Sequence, residues 1–393
     1  MKKYAAILGC GVVGSGTAEL LMNNAEEIRR RTGAELALKY ILVRRDKEES
    51  PFRDKFVMDF SVIENDPEIS IVAECIGGVD AALDYCRRTL RAGKSLVTSN
   101  KELVAKHGYE LSLIAAEKGV SFLFEGAVGG GIPALRPIQL CLSANRLTEV
   151  MGVVNGTTNY ILTAMERSGA AFADALATAQ QLGYAEQDPS ADILGWDAGR
   201  KAAILAGLSF GQFVDVAKVP MEGITTIGSE DMQAAKALGR RIKLIGRAVR
   251  VGKSVSVCCA PHLLPVTSPL AALEGVLNGV LVRGDGVGEV FLSGPGAGSL
   301  ATGSAVVGDI VDAALTVRAP RWEKAESFID PDELPCRWYV RCRADEHAIR
   351  TAMPGAECPL GHEGVFLSDE LSRKALNAII EPLQPINVFR LLD

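Results

Sequence analysis

The sequence has no excess of basic residues: 42 Lys and Arg stand against 48 Asp and Glu, a formal net charge of −6. A mildly acidic chain with no basic block is a poor nucleic-acid binder. Its densest basic stretch, Arg29-Arg30-Arg31, follows Glu26-Glu27 and reads as a solvated helix face. A disulfide framework is also missing. The nine cysteines, at 10, 75, 86, 141, 258, 259, 336, 342 and 358, are odd in number and unpatterned, which suits a reducing cytoplasm. No run reads as a membrane span. The longest uncharged stretches, Ser254–Leu273 and Val290–Gly308, carry three prolines and five glycines respectively. The apolar residues after Lys2-Lys3 are too few for a secretory signal core. No internal repeat of about 20–50 residues is visible, which argues against solenoids and propellers.

What is present is an ordinary globular composition, 48% hydrophobic and 23% charged, in 393 residues. That length suggests two or three domains at roughly 150 residues each. Glycine is enriched, 40 of 393 residues, and clustered. Apolar strand patterns at 4–9, 36–43, 70–74, 95–98 and 120–125 alternate with helical patterns to about residue 131. Such alternation predicts a parallel sheet covered on both faces. From Ile132-Pro133 onward the texture is mixed α+β. It includes a helix-like stretch to Asn145, helices over about 158–182 and 191–210, and strand-like pieces at 149–154, 247–257, 277–285 and 290–292. The expected fold is therefore α/β: a Rossmann-type domain over 1–131 and a second α+β catalytic or dimerisation domain over 132–295. The helix 296–317 returns to the first domain, and a small α+β unit spans 321–393.

Gly9-x-Gly11-x-x-Gly14 has the dinucleotide-binding spacing. It follows an apolar strand and opens a helix, the context that gives the motif meaning. The glycines permit a tight turn and close approach of a pyrophosphate, with Val12 and Val13 opening the helix whose N-terminus receives it. At the end of the second strand stand Arg44 and Arg45, then Asp46. Arginine pairs bidentately with a 2′-phosphate, which favours NADP(H); the alternative is surface arginines with Asp46 selecting NAD. In Leu96-Val97-Thr98-Ser99-Asn100-Lys101, Lys101 sits where a strand ends and a helix begins, a ligand-binding position in such sheets. Thr98 and Ser99 are expected at the cofactor with it. Asp197 and Lys201 are four apart, one helical face, leading into the apolar run Ala202–Leu208. Charges entering a buried helix carry a desolvation cost, and a lysine there can serve in proton transfer. Glu186 and Asp188 lie in the loop before that helix.

Together these motifs resemble homoserine dehydrogenase. The matching pieces are GCGVVG at 9–14, VTSNK at 97–101, FEGAVGGGIP at 124–133 and VNGTTNYIL at 154–162. LGYAEQDPSADILGWDAGRK at 182–201 and GPGAG…GSAVVGDI at 294–310 complete the set. The resemblance covers about residues 1–317. It implies NAD(P)H-dependent interconversion of L-aspartate 4-semialdehyde and L-homoserine, a step toward threonine, methionine and isoleucine. It implies Lys201 as the general acid–base, Asp197 holding it, and Lys101 near the cofactor and the reacting centre. Gly183, Glu186 and Asp197 match substrate-contacting positions, with Asp192 a further candidate, and Gly298 a late cofactor contact. At the glycine turn 126–131 the resemblance implies a sodium (or potassium) ion held through Glu125, Val128, Gly130 and Ile132; the alternative is a turn that only permits close packing. A homo-oligomer, dimer or tetramer, is implied as well.

Other readings are weaker. Cys336, Cys342, His347, Cys358 and His362 suggest zinc, but their spacings fit no paired knuckle. Cys258-Cys259 reads as core, and Cys75, at a strand end of the cofactor domain, as packing rather than a nucleophile. The tail pattern strand, helix, strand, helix, strand is similar to a regulatory ACT domain. It is short of one strand, and Arg343–Ala348 replaces the expected glycine turn, which argues against simple threonine feedback. Two alternatives remain: another Rossmann oxidoreductase on a related semialdehyde or amino acid, and a non-enzymatic NADP sensor. A sensor has no need of Lys101, Glu186, Asp197 and Lys201 together.

Overall fold

The computed structural model describes residues 2–325, 327–359 and 361–392. It divides into two compact units: residues 1–145, 203–216 and 294–324, and residues 146–202, 217–293 and 325–393.

The first unit begins β1 (Lys3–Leu8), α1 (Val12–Asn23), α2 (Ala25–Thr32) and β2 (Leu36–Leu42). It continues β3 (Phe56–Val57), α3 (Phe60–Asn65), β4 (Ile69–Glu74), α4 (Asp80–Arg91), β5 (Ser95–Thr98), α5 (Lys101–Lys118) and β6 (Phe122–Leu123). The strand order is β3-β2-β1-β4-β5-β6, all parallel. This is the doubly wound Rossmann order, whose ligand crevice lies beyond the strand C-termini at the β1/β4 reversal. Ala5 through Leu8 are buried on both faces, as a parallel strand between helix layers requires. Ile7, Ile41, Ile71 and Val97 form the core on one face, and Leu8, Leu42, Phe60 and Val72 on the other. The expected strand over 120–125 is only two residues long because Glu125 enters a short helical turn. The helix expected over 132–145 is a wide turn at Pro137–Cys141, and these residues stay with the first unit.

The second unit starts with β7 (Leu147–Val153), then α6 (Gly156–Ser168), α7 (Phe172–Gln181), α8 (Ser190–Ile193) and the first half of α9 (Trp196–Phe210), whose residues from 203 on belong to the first unit. After α9, β8 (Gln212–Phe213) belongs to the first unit. The second unit resumes with α10 (Ser229–Ala237), β9 (Arg240–Val251), β10 (Ser254–Pro265), β11 (Leu277–Gly284) and β12 (Gly288–Pro295). The single strand expected over 247–257 is instead the middle of a hairpin. Gly252, at φ +63°, turns the chain between β9 and β10. Gly246 on β9 lets α9 lie flat on the sheet: a Cβ there would stand 3.0 Å from that of Ala202.

The chain then returns to the first unit through α11 (Ser299–Leu315) and β13 (Glu323–Lys324), which pairs with β8. The tail carries β14 (Trp338–Cys342), α12 (Glu346–Ala352), β15 (Val365–Leu367), α13 (Arg373–Ile380) and β16 (Pro385–Leu391) around a core of Trp338, Val340, Phe366, Leu376 and Ile380. It is not set apart as a third unit. Its strand β16 pairs with β10, giving one eight-stranded sheet of order β12-β11-β7-β9-β10-β16-β14-β15. Between α12 and β15 the chain makes one isolated bridge, Glu357 with Leu367. Asp231 of α10 fastens the tail. Its carboxylate, fully buried, accepts hydrogen bonds from Tyr339, Arg341 and Asn387. Among the described residues no helix is long and apolar enough to cross a membrane.

Candidate active site

The glycine loop is built as its spacing requires. Gly9 has φ +96°, and a Cβ on Gly14 would lie 2.0 Å from the Gly9 carbonyl oxygen. The third glycine therefore exists for the turn's own closure. Gly11 is open, with nothing within 4 Å of a would-be Cβ. It caps α1 without a side-chain bond, so the first N–H groups of the helix, beginning at the exposed Val12 and the half-buried Val13, face the crevice. The helix α11 supports the loop. The Ser299 hydroxyl donates to the Val12 carbonyl at 2.7 Å, next to Gly298, which starts that helix at φ +128°. Gly16 and Gly303 let the two helices touch: a Cβ on Gly16 would sit 2.3 Å from the Ser299 carbonyl oxygen, and one on Gly303 2.8 Å from the carbonyl carbon of Gly16.

Beside the loop is a cavity of about 690 Å³ lined by Gly9, Gly11, Arg44, Arg45, Lys47 and Tyr85 among others. That volume suits a nucleotide portion. Arg44 and Arg45 are exposed at its wall, and Lys47 donates to the Cys10 carbonyl at 2.5 Å. Asp46 does not line it. Arg53 grips its carboxylate through Nε and Nη2 and holds it below the usual carboxylate range.

At the end of β4, Glu74 is fully buried. Burial pushes its carboxyl up, and hydrogen bonds from Thr98 and from the Ile76 and Gly77 N–H groups pull it back. Thr98, expected at the cofactor, is fully buried too; its hydroxyl donates to Glu74 at 2.6 Å, so its side chain supports the loop from beneath. Ser99 is half-buried, with its N–H on the Glu74 carbonyl at 3.3 Å. Asn100 caps α5, and Lys101 is the first residue of that helix. Burial and the neighbouring Glu74 push the Cys75 thiol up to about 12, so it stays protonated and is no nucleophile.

In the glycine turn, the Glu125 carboxylate accepts from the N–H groups of Ala134, Leu135 and Arg136 at 2.6, 2.8 and 2.7 Å. Its oxygens therefore cap the following helical turn, which the reading of Glu125 as an ion's carboxylate ligand had not foreseen. Gly129 and Gly130 have φ of +74° and +57°, and a Cβ on Gly130 would be 2.4 Å from Gly296. Close packing alone thus explains these glycines. Among the described residues no donor is paired with the carbonyl oxygens of Val128 and Gly130, so these oxygens fit a hard cation. Ile132 is buried, with its N–H on the Gly129 carbonyl. No three His, Cys, Asp or Glu side chains cluster as metal ligands among the described residues.

The second unit holds the charged constellation. Lys201, 7% exposed, donates from Nζ to the Val154 carbonyl at 2.6 Å and to Asp197 Oδ2 at 2.7 Å. Asp197 Oδ2 also accepts from Asn155 Nδ2 at 2.9 Å, and the same Nδ2 donates to Asp192 Oδ1 at 2.7 Å. Asn155 Oδ1 meanwhile caps α6 by accepting from the Thr158 N–H at 2.9 Å. One amide thus ties the end of β7 to both carboxylates. Glu186 is exposed in a loop turned by Gly183 at φ +76°. That loop is anchored by the Thr157 hydroxyl on the Tyr184 carbonyl at 2.7 Å. Asp188, by contrast, accepts from Ser190 and only shapes the loop.

A family model described as homoserine dehydrogenase matches residues 133–311, and one described as the homoserine dehydrogenase NAD binding domain matches residues 9–125. The chain belongs to the homoserine dehydrogenase family. Homoserine dehydrogenase of Neisseria gonorrhoeae is 39% identical over 357 residues, spanning 86% of this chain and 81% of that one. The Mycobacterium tuberculosis homoserine dehydrogenase is 41% identical over 361 residues, spanning 88% and 82%. The crystal structure of a homoserine dehydrogenase from Thiobacillus denitrificans superposes with a TM-score of 0.93 at 34% identity, covering 100% of this chain and 99% of that one. A hyperthermophilic archaeal homoserine dehydrogenase in complex with NADPH gives 0.70 at 28% identity, covering 82% and 100%.

As a homoserine dehydrogenase family member the chain is an NAD(P)-dependent oxidoreductase acting on a CH–OH group. Three of its residues went unnoticed in sequence. Asn155 stood in the quoted NGTTN motif, and its position after a strand marks a helix cap, but its bonds to Asp192 and Asp197 are non-local. Glu74 ends an apolar strand pattern, where a lone carboxylate is a usable signal of a special environment. Gly16 lies beyond the motif's third glycine and matters only because α11 returns against it.

Proposed function

We propose that this chain interconverts L-aspartate 4-semialdehyde and L-homoserine with NADP(H), using Lys201 as the general acid–base. The observation that carries this reading is the buried Lys201 ammonium, held by Asp197 and the Val154 carbonyl at the end of β7. Reduction of an aldehyde puts negative charge on its oxygen, so a fixed N–H⁺ donor stabilises the transition state and then delivers the proton. In the reverse direction the same nitrogen takes the hydroxyl proton. Asp197 orients the ammonium, and Asn155 keeps Asp197 and Asp192 from moving apart. Asp192 and Glu186 offer carboxylates to the amino group of the substrate, and Gly183 gives their loop its turn. The nicotinamide cofactor, when bound, supplies or accepts the hydride. Lys101 adds positive charge at the strand ends of the cofactor unit.

Preference for NADP(H) is supported by three cations, Arg44, Arg45 and Lys47, on the cavity wall and by Asp46 being engaged with Arg53. A 2′-phosphate finds cations there, and a 2′-hydroxyl finds no uncommitted carboxylate at residue 46. A sodium or potassium ion at residues 125–132 is part of the same reading. It rests on the carbonyls of Val128 and Gly130, with Glu125 ordering the turn by its helix cap. A homo-oligomer, dimer or tetramer, rests on the resemblance and is checked by analytical ultracentrifugation. The test of the function is oxidation of NADPH by the purified chain on addition of L-aspartate 4-semialdehyde. Folded, cofactor-binding protein that does not turn over this aldehyde would exclude the reading.

A further inference from the structure

The reaction scheme above makes no use of Glu74, yet it is a fully buried carboxylate at the last position of β4. A charge so placed is retained only where donors surround it. Oε1 accepts from the Ile76 N–H at 2.6 Å and the Gly77 N–H at 3.3 Å, which fixes the loop leaving β4. Oε2 accepts from the Thr98 hydroxyl at 2.6 Å, directly opposite in the register of β4 and β5. The Thr98 oxygen in turn accepts from the Asn100 N–H at 2.9 Å. Asn100 then bonds in two directions, to the Gly78 carbonyl at 2.5 Å and to the Leu103 N–H at 3.1 Å as the cap of α5. The next residue is Lys101. One carboxylate therefore joins the two loops that follow β4 and β5, in the half of the sheet beyond the β1/β4 reversal.

We propose that Glu74 is a positioning residue for the reaction, holding Lys101 in place through Thr98 and Asn100. The proposal rests on the reading that Lys101 takes part in turnover. Every polar group around the carboxylate named above is a donor, so an acceptor on both oxygens is required. Glutamine keeps one oxygen for Ile76 and Gly77 but turns an amide N–H toward Thr98, so the Thr98 hydroxyl proton loses its acceptor. Thr98→Val is the second perturbation: it removes both the bond to Glu74 and the relay to Asn100 while nearly keeping side-chain shape.

The test is a double-mutant cycle on kcat in the full-length protein. Glu74→Gln and Thr98→Val are each expected to lower kcat about 10- to 100-fold, the range a displacement near 1 Å produces. KM for the aldehyde should change less than about threefold, because substrate is held elsewhere. In a Lys101→Ala background neither substitution should lower kcat further, since groups that act as a unit are not additive. Independent, multiplying losses would overturn the proposal and leave the reading of Lys101 intact, as would unchanged kcat in a folded Thr98→Val. Wild-type turnover in Lys101→Ala would overturn both. If Glu74→Gln does not fold, the same cycle run with Thr98→Val alone decides the question.

Discussion

Replacing Asn155 separates two jobs that one side chain performs. Its Oδ1 caps α6 and its Nδ2 donates to Asp192 and Asp197. Serine at this position keeps an N-cap acceptor but is too short to reach both carboxylates; alanine loses everything. The cap is worth about 1 kcal/mol. A hydrogen bond to a charged group is worth about 1.5–3 kcal/mol, and Asp197 is 3% exposed, so little solvent screening reduces it. Asn155→Ser should therefore lose about 1.5–3 kcal/mol, and Asn155→Ala roughly 1 kcal/mol more. Urea unfolding followed by circular dichroism reads both. The activity consequence is different in kind. With Asp197 released on one side, Lys201 Nζ loses its fixed place, and both variants should drop kcat about 10- to 100-fold to the same level. A serine variant with wild-type kcat, or a serine variant much more active than the alanine one, would refute the claim that the amide's donor atom orders the acid–base pair.

Three further outcomes follow from particular contacts. Gly14→Ala should abolish cofactor binding, measured by NADPH fluorescence titration, because its Cβ would stand 2.0 Å from the Gly9 carbonyl oxygen. Replacing Arg44 and Arg45 together with alanine should raise KM for NADP about tenfold or more while leaving that for NAD within about threefold, as loss of charge-assisted phosphate bonds predicts. Lys243 is buried on Asn159 Oδ1 and the Leu273 carbonyl, and burial lowers its ammonium from 10.5 to about 8. Its folded value lies below its unfolded one, so the charge opposes folding at neutral pH and the penalty lifts as pH rises. Relative to Lys243→Met, wild-type stability should gain between pH 8 and 10.5. A flat difference across that window would contradict the burial argument.

Much of the architecture was legible because it rests on local pattern. The glycine spacing at 9–14 states its own geometry, and alternating apolar strands and helices define the parallel sheet. Asp197 and Lys201 announced themselves as charges entering an apolar helix. What sequence concealed was non-local. The hairpin of β9 and β10 reads as one strand because a single glycine, Gly252, supplies the turn between two stretches of the same alternating pattern. The tail's elements were visible, but not that β16 would lie between β14 and β10, since a strand carries no mark of a neighbour about 120 residues away in the chain. Glu125 looked like an ion ligand beside glycines; the N–H groups of Ala134, Leu135 and Arg136 that occupy its carboxylate lie about ten residues on. Thr98 is expected at the cofactor from its strand-end position; that its hydroxyl donates to the buried carboxylate opposite it was not legible, because that pairing is between strands.

The central claim is that Lys201 moves the proton. The most direct measurement is single-turnover oxidation of NADPH by L-aspartate 4-semialdehyde in wild type and Lys201→Ala, with cofactor affinity measured in parallel. The account predicts a loss of about 100- to 10,000-fold in the chemical step, the range of general acid catalysis, with NADPH affinity unchanged. A Lys201→Ala enzyme that turns over within a few-fold of wild type would contradict it.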